Sequence, residues 1–325
     1  MESFRSVLAW AERILGNIDN NRLDALILLS HITSFSKEKI IFNPDFKLNY
    51  DQKEKFFELV ERRVKHEPIS HLIGKREFFG ADFSVSKDVL DPRPDSEILI
   101  EAILKKFPDR NQKLKIVELG VGSGCLIITL LTAFKSACGT GIDISNAALE
   151  ICKKNAAKFG ITKRLTLLKS NLFNQIPNNE ARSTKHEARK FDLIISNPPY
   201  IPSDDIKNLQ PEIVLFEPRI ALDGGKDGLD FYHKIAAKAE KFLNQNGTVA
   251  NPQFLPFLNA MSPCKSRVQT LQKVDLLHGQ NGKIFLEIGY GQKEKVIEIF
   301  TKKGFLFIEA SLDLAGITRV LEFSC

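Results

Sequence analysis

A chain of 325 residues with 43% hydrophobic content is long enough for one large α/β domain and a small companion, and its net charge is +6. Its apolar runs are too short to cross a bilayer, and Met1 to Gly16 mixes charge with apolar residues at helical spacing, so the chain reads as neither anchored nor led by a signal peptide. Five cysteines without a CxxC pair and six scattered histidines exclude a disulfide framework and a metal centre, and fit a reducing, cytoplasmic compartment.

In chain order, the first 70 residues read as helices. Apolar residues at helical spacing run from Phe4 to Leu15 and again from Leu23 to Ile32. A third stripe passes through Phe56, Leu59, Val60 and Val64. Its expected start is Asp51, capped by the arrangement with Glu54, and its expected end is Glu67-Pro68. Residues 76–86 gather aromatic and β-branched residues around Gly80, the pattern of a short hairpin. The domain reading is therefore a helical domain over 1–75, a hairpin linker over 76–87 and a second domain over 88–325.

In that second domain strands and helices alternate. Strands are expected at Leu114–Leu119, Gly139–Ile144, Leu165–Lys169, Phe191–Ser196, Lys283–Ile288, Phe305–Ala310 and Thr318–Phe323. Helices are expected at Cys125–Lys135, Asn146–Phe159, Leu229–Leu243 and Gln292–Lys303. Seven strands with intervening helices imply an α/β fold with a doubly wound, mostly parallel sheet. Only the last two strands are joined too closely for a parallel crossover, so they should run antiparallel.

Two stretches, 178–190 and 248–282, break this rhythm, the first of them polar and without periodicity. Gln245-Asn246-Gly247 recurs as Gln280-Asn281-Gly282, and excising one copy with the intervening chain leaves a clean helix-turn-strand. Both stretches read as surface insertions, which loop-closure entropy tolerates. Residues 179–190 and 248–282 each carry a balance of +2, leaving +2 for the rest of the chain. Direct nucleic-acid binding is therefore not expected.

Two motifs carry chemistry. The first is Glu118-Leu119-Gly120-Val121-Gly122-Ser123-Gly124, placed between a strand and a helix, with Asp143 at the end of the next strand. Glycines permit close backbone approach and positive φ, a helix start offers free N–H groups, and a carboxylate there accepts from ribose hydroxyls. Alone, this pair fits a dinucleotide enzyme almost as well as a methyltransferase, although Cys125 stands where GxGxxG needs its third glycine.

The second motif is Asn197-Pro198-Pro199-Tyr200 after the apolar run ending at Ser196. An amide nitrogen is a weak nucleophile because its lone pair is delocalised. The Asn197 side-chain oxygen and the Pro198 carbonyl can each accept one N–H of a planar NH2 group, fixing the nitrogen and freeing its lone pair for an electrophilic methyl. Two prolines hold that carbonyl stiffly outward, and Tyr200 is expected to offer a face to the flat target. No general base is required, because the methylated cation sheds its proton readily.

Together these motifs resemble the amino-methyltransferases acting on amide or exocyclic nitrogens, and within them the release-factor glutamine methyltransferases (the HemK/PrmC family). The resemblance also rests on Glu67-Pro68, on Leu72-Ile73-Gly74-Lys75-Arg76-Glu77-Phe78-Phe79-Gly80, and on Asp91-Pro92-Arg93-Pro94-Asp95-Ser96-Glu97. Further landmarks are Phe216-Glu217-Pro218-Arg219, Ala221-Leu222-Asp223-Gly224-Gly225, Glu287-Ile288-Gly289 and Asp313-Leu314-Ala315-Gly316 with Arg319. It implies a class I methyltransferase sheet and S-adenosyl-L-methionine as cofactor, held at Gly120, Val121, Gly122, Ser123, Gly124 and Asp143, with Asn171 and Leu172 near the adenine. Asn197, Pro198, Pro199 and Tyr200 would hold a glutamine amide of a class I peptide chain release factor, and Asn197 would also border the cofactor.

The chain departs from the family pattern in having Asn171 for aspartate, Leu172 for an aromatic, Asp91 for an aliphatic residue and Val121 for threonine. Weaker cofactor binding is the expected consequence. The rival readings are an adenine-N6 methyltransferase on DNA or RNA and a non-catalytic S-adenosylmethionine-binding scaffold.

Overall fold

The computed structural model describes residues 2–16, 18–176, 190–244 and 281–325. Five helices open it: α1 (Phe4–Leu15), α2 (Asn21–Thr33), α3 (Lys37–Phe42), α4 (Tyr50–Val64) and α5 (Ile69–Ile73). Phe4, Val7, Ala11 and Leu15 line one side of α1 and meet Leu28, Leu29, Phe56 and Val60 in a core belonging to this bundle. Helix α4 starts earlier than the sequence suggests. Asn49 accepts from the Gln52 amide at 2.8 Å, while the Gln52 side chain accepts from the Asn49 amide at 3.2 Å. That reciprocal cap satisfies two orphan donors, so Asp51 lies inside the first turn rather than at its head.

A hairpin of β1 (Lys75–Phe78) and β2 (Ala81–Ser84) leads to α6 (Glu97–Lys106). Then follow β3 (Lys115–Leu119), α7 (Cys125–Ala133), β4 (Cys138–Asp143), α8 (Asn146–Lys158), β5 (Leu165–Lys169) and β6 (Leu193–Ser196). After α9 (Pro211–Phe216) and α10 (Asp230–Ala236) come β7 (Lys283–Glu287), α11 (Lys293–Thr301), β8 (Leu306–Leu312) and β9 (Thr318–Ser324). The seven-stranded sheet has the order β5-β4-β3-β6-β7-β9-β8. Its first five strands pair in parallel, and β9 runs against both neighbours.

Alternating residues feed two cores. Ile116, Leu193, Ile195 and Phe285 pack under α6 and α7, while Val117, Ile194, Ile284 and Leu286 face α10 and α11. The same alternation points Glu287 to the α6 side, the side of Phe285.

The expected helix over Leu229–Leu243 is shorter, with α10 ending at Ala236 and a 3-10 turn over Ala239–Phe242. Helices α6 and α9 are absent from the sequence reading. Apart from Lys190, Asn281 and Gly282, the two insertion stretches lie outside the described residues. Asn244 accepts from the Gly282 amide at 2.8 Å, so the described chain resumes directly beside Asn244. Among the described residues, no helix is long and apolar enough to cross a membrane.

Candidate active site

The strand order reverses between β3 and β6, and at the carboxyl ends of β3, β4 and β6 lies a cleft of about 250 Å³. Its floor is the turn after β3. The Gly120 and Val121 amides both donate to the Ile142 carbonyl at 2.8 Å, hanging the turn from β4. Gly120 (φ +75°) and Gly122 (φ +51°) need the left-handed region, and nothing lies within 4 Å of where their Cβ atoms would stand. That space belongs to the cleft.

Gly124 serves a different purpose. A Cβ there would stand 2.5 Å from Cys152 Sγ and 2.9 Å from Ile128 Cδ1, so this glycine lets α7 and α8 close up, and it does not line the cleft. Val121 and Ser123 do line it. Val121 is buried, and the absence of a side chain at Gly141 leaves room for it.

Asp143 accepts from the Gly122 amide at 3.0 Å through Oδ2 and from the Ser145 amide at 2.9 Å through Oδ1. Each oxygen keeps a lone pair for hydroxyls of a ligand. Leu172 reaches the cleft with φ +50°, a conformation that costs a side-chain-bearing residue about 1–2 kcal/mol, and exposed Asn171 stands beside it. Glu118 also lines the cleft; it accepts from the Ile127 amide at 3.0 Å, and burial pushes its carboxyl well above the usual range.

The structure brings Asn197 and Pro199 to the opposite lip, whereas buried Pro198 and half-buried Tyr200 do not line the cleft. Asn197 Nδ2 donates to Ser96 Oγ at 3.1 Å, and Ser96 Oγ donates to Glu287 Oε2 at 2.5 Å. No described residue donates to Asn197 Oδ1 or to the Pro198 carbonyl. The Tyr200 ring, expected to offer the target a face, packs on the α10–α11 core, with Glu287 among the groups near its hydroxyl. A buried carboxylate recruits donors, and the Ser96 hydroxyl is the one bonded to it.

The backbone below the tetrapeptide is tightly held. Gln292 Nε2 donates to the Tyr200 carbonyl at 2.9 Å. A Cβ on Gly224 would stand 2.8 Å from the Pro199 oxygen, and one on Gly228 would overlap the Tyr200 carbonyl oxygen.

Distant landmarks converge here through one segment. Arg93 Nη2 donates to both oxygens of Glu217, at 2.6 and 2.8 Å, and Asp95 pairs with Arg319 at 2.8 Å. Glu97 accepts from the Phe79 amide at 2.7 Å. Burial lifts Glu217 to about 7 despite Arg93, and lifts Glu287 to about 7 despite the hydrogen bond from Ser96. The bundle is tied on as well, since Arg63 of α4 bonds Asp24 at 2.7 Å and Glu212 of α9 at 2.6 Å.

Arg93, Ser96, Glu118 and Glu287 were quoted as motif residues but given no place in the site, and neither were Ile220, Phe231 and Lys234, which form another part of the cleft wall. Ser96 and Glu287 lie 191 positions apart, beyond any local pattern.

A sheet of this order, with the glycine turn after its first strand and Asn-Pro-Pro-Tyr after its fourth, defines a class I S-adenosylmethionine-dependent methyltransferase. The family model for the PrmC N-terminal domain matches residues 6–74, and that for the methyltransferase small domain matches residues 83–214. A release factor glutamine methyltransferase of Agrobacterium fabrum is 35% identical over 93% of this chain and 89% of its own length. Another, from Geobacter sulfurreducens, is 33% identical over 98% of this chain and 95% of its own length. A bifunctional methyltransferase of Rickettsia bellii is 35% identical over 94% of this chain, which spans 52% of that longer protein. The chain belongs to the release factor glutamine methyltransferase family.

Proposed function

We propose that this enzyme transfers a methyl group from S-adenosyl-L-methionine to the side-chain amide N5 of the glutamine in the Gly-Gly-Gln loop of a class I peptide chain release factor, in the cytoplasm. The observation that carries this reading is the pair of unengaged acceptors, Asn197 Oδ1 and the Pro198 carbonyl, beside a cleft with open glycine positions. The names of the relatives support the release factor as substrate.

The residues present fit the cofactor. Asp143 has lone pairs for ribose hydroxyls, Gly120 and Gly122 leave room for close approach, and Ile144 and Leu172 offer an apolar wall to a base. Asn171 carries an amide oxygen that can accept from the adenine amino group. When bound, S-adenosylmethionine supplies a methyl group activated by its sulfonium.

The remaining work falls to the tetrapeptide. Asn197 Oδ1 and the Pro198 carbonyl accept the two N–H bonds of the glutamine amide, hold its nitrogen and favour pyramidalisation, so that its lone pair faces the cleft. The spare proton passes to solvent or a carbonyl. Residues 1–75, tied to α9 through Arg63 and Glu212, would bind the release factor away from the reacting loop and supply affinity that one glutamine cannot.

Tritium-methyl transfer with a purified release factor, DNA and RNA as alternative acceptors tests the proposal. Label should enter the release factor, and Asn197→Ala should lower the rate by roughly 100-fold or more with cofactor affinity retained. Label on nucleic-acid adenine identifies the rival enzyme. Cofactor binding without transfer to any acceptor identifies the scaffold.

A further inference from the structure

Asn197 is useful only one way round. If its amide turned over, an NH2 group would face the NH2 of the target, donor against donor. The side chain itself has no preference, because its O and N ends are nearly the same size. Something must choose.

The choice is made behind it. Ser96 is 3% exposed and Glu287 is 1% exposed, so neither hydroxyl nor carboxylate can turn to bulk water. The Ser96 hydroxyl has one proton, and it goes to Glu287 Oε2 at 2.5 Å, the length of a charge-assisted O–H···O bond. Towards Asn197 the hydroxyl can therefore only accept, and it meets Nδ2 at 3.1 Å. We infer that Glu287 and Ser96 are positioning residues, a carboxylate–hydroxyl relay that sets the polarity of the Asn197 amide and turns Oδ1 towards the substrate nitrogen. This rests on the reading of Asn197 as the substrate clamp. The relay also polarises the amide, because electron density drawn from a carboxylate along a hydrogen-bonded chain strengthens the terminal acceptor.

The charge on Glu287 is what makes the relay one-directional. Once protonated, the carboxyl can donate to Ser96, freeing the hydroxyl proton for Asn197 and stabilising the wrong amide orientation. The groups facing Glu287 are Asp95 and Ser96 before α6, Cys125 at the start of α7, Tyr200 in the tetrapeptide, Tyr232 in α10 and Arg319 in β9. Of these, Arg319 favours the ionised form and Asp95 opposes it, while Ser96 stabilises it by a hydrogen bond.

The test is single-turnover methyl transfer by the full chain, with tritium-labelled S-adenosylmethionine and a purified release factor. Ser96→Ala and Glu287→Gln should each slow transfer roughly 10- to 100-fold. Their cofactor Kd and release-factor KM should stay within about two-fold, since neither substitution adds bulk to the cleft that Ser96 lines. Ser96→Thr, which keeps the hydroxyl, should restore most of the rate. The wild-type rate should rise with pH through about 7, where Glu287 ionises, and that limb should vanish in Glu287→Gln. In an Asn197→Ala background, Ser96→Ala should cause no further loss.

Wild-type rates in Ser96→Ala and Glu287→Gln, with Asn197→Ala inactive, overturn the relay alone. A parallel loss of Tm, cofactor affinity and rate that Ser96→Thr does not rescue assigns these residues to packing and also overturns it. A wild-type rate in Asn197→Ala would instead remove the substrate-clamp reading on which the relay stands.

Discussion

Gly228→Ala should damage the enzyme through one atom. Gly228 has φ +75°, so any side chain there carries about 1 kcal/mol of left-handed strain. Its new Cβ would also overlap the Tyr200 carbonyl oxygen, which cannot retreat freely because Gln292 Nε2 holds it at 2.9 Å. Overpacking of this kind costs about 1–3 kcal/mol, giving a total near 3 kcal/mol. Gly160 is the matched control, with φ +68° and nothing within 4 Å of its absent Cβ, so Gly160→Ala should cost only about 1 kcal/mol. At roughly 2–4 °C per kcal/mol, calorimetry should record a fall of about 6–12 °C for Gly228→Ala and about 2–4 °C for the control. Because the displaced carbonyl belongs to the tetrapeptide, transfer at saturating cofactor should fall by more than about 10-fold in the first variant only. Equal thermal shifts in the two variants would refute the close approach, and an unchanged rate in Gly228→Ala would separate that contact from the clamp.

Asp143→Ala removes the acceptor for the Gly122 amide and for the proposed ribose hydroxyls; titration calorimetry should show roughly a 10- to 100-fold higher cofactor Kd, and an unchanged Kd would exclude Asp143 from the cofactor site. Arg63→Ala leaves Asp24 buried without its partner and should cost about 3–5 kcal/mol in urea unfolding, far more than Arg5→Ala at its exposed pair; equal losses would refute the buried link. Glu217 and Glu287 both have folded pKa values of about 7, above the ordinary 4.5, so the folded state takes up their protons more readily than the unfolded chain. Their contribution to stability is full below about pH 4.5 and is lost as pH rises to about 7, whereas the proposed transfer rate rises through the same upper limit. Thermal scans over that range should flatten in Glu217→Gln and Glu287→Gln, and wild-type slopes in both variants would refute the assignment.

The sheet was legible because each strand announces itself locally. Runs such as Lys115–Leu119 and Leu193–Ser196 are apolar and short, and helical spacing lies between them. The parallel order followed from that alternation, and the antiparallel last pair from the short connection at Asp313–Ile317. Helix starts were less legible. Asn49 and Asp51 are both good caps, and which one acts depends on whether Gln52 or Glu54 folds back. The cleft floor was readable from glycine spacing, but the reason for each glycine was not. Gly120 and Gly122 keep space empty, whereas Gly124 makes way for Cys152 and Ile128. Least legible was the bracing of Asn197, because Ser96 and Glu287 meet only after the sheet has formed. Tyr200 illustrates the same limit, since its ring packs on a core assembled from α10 and α11, far along the chain.

The lateness of Glu287 in the chain has a consequence for biosynthesis. The glycine turn, Asp143 and Leu172 have all been translated by residue 172, but β7, which lies between β6 and β9, comes 111 to 115 residues later. At about 5–20 residues per second, a ribosome needs roughly 6 to 23 seconds to cover that gap. For that interval the nascent chain carries the residues proposed to hold the cofactor, and Asn197, once made, still lacks the carboxylate behind it. On the proposed roles, donor binding would precede chemical competence, and the growing polypeptide would stay silent until the middle of its sheet arrives.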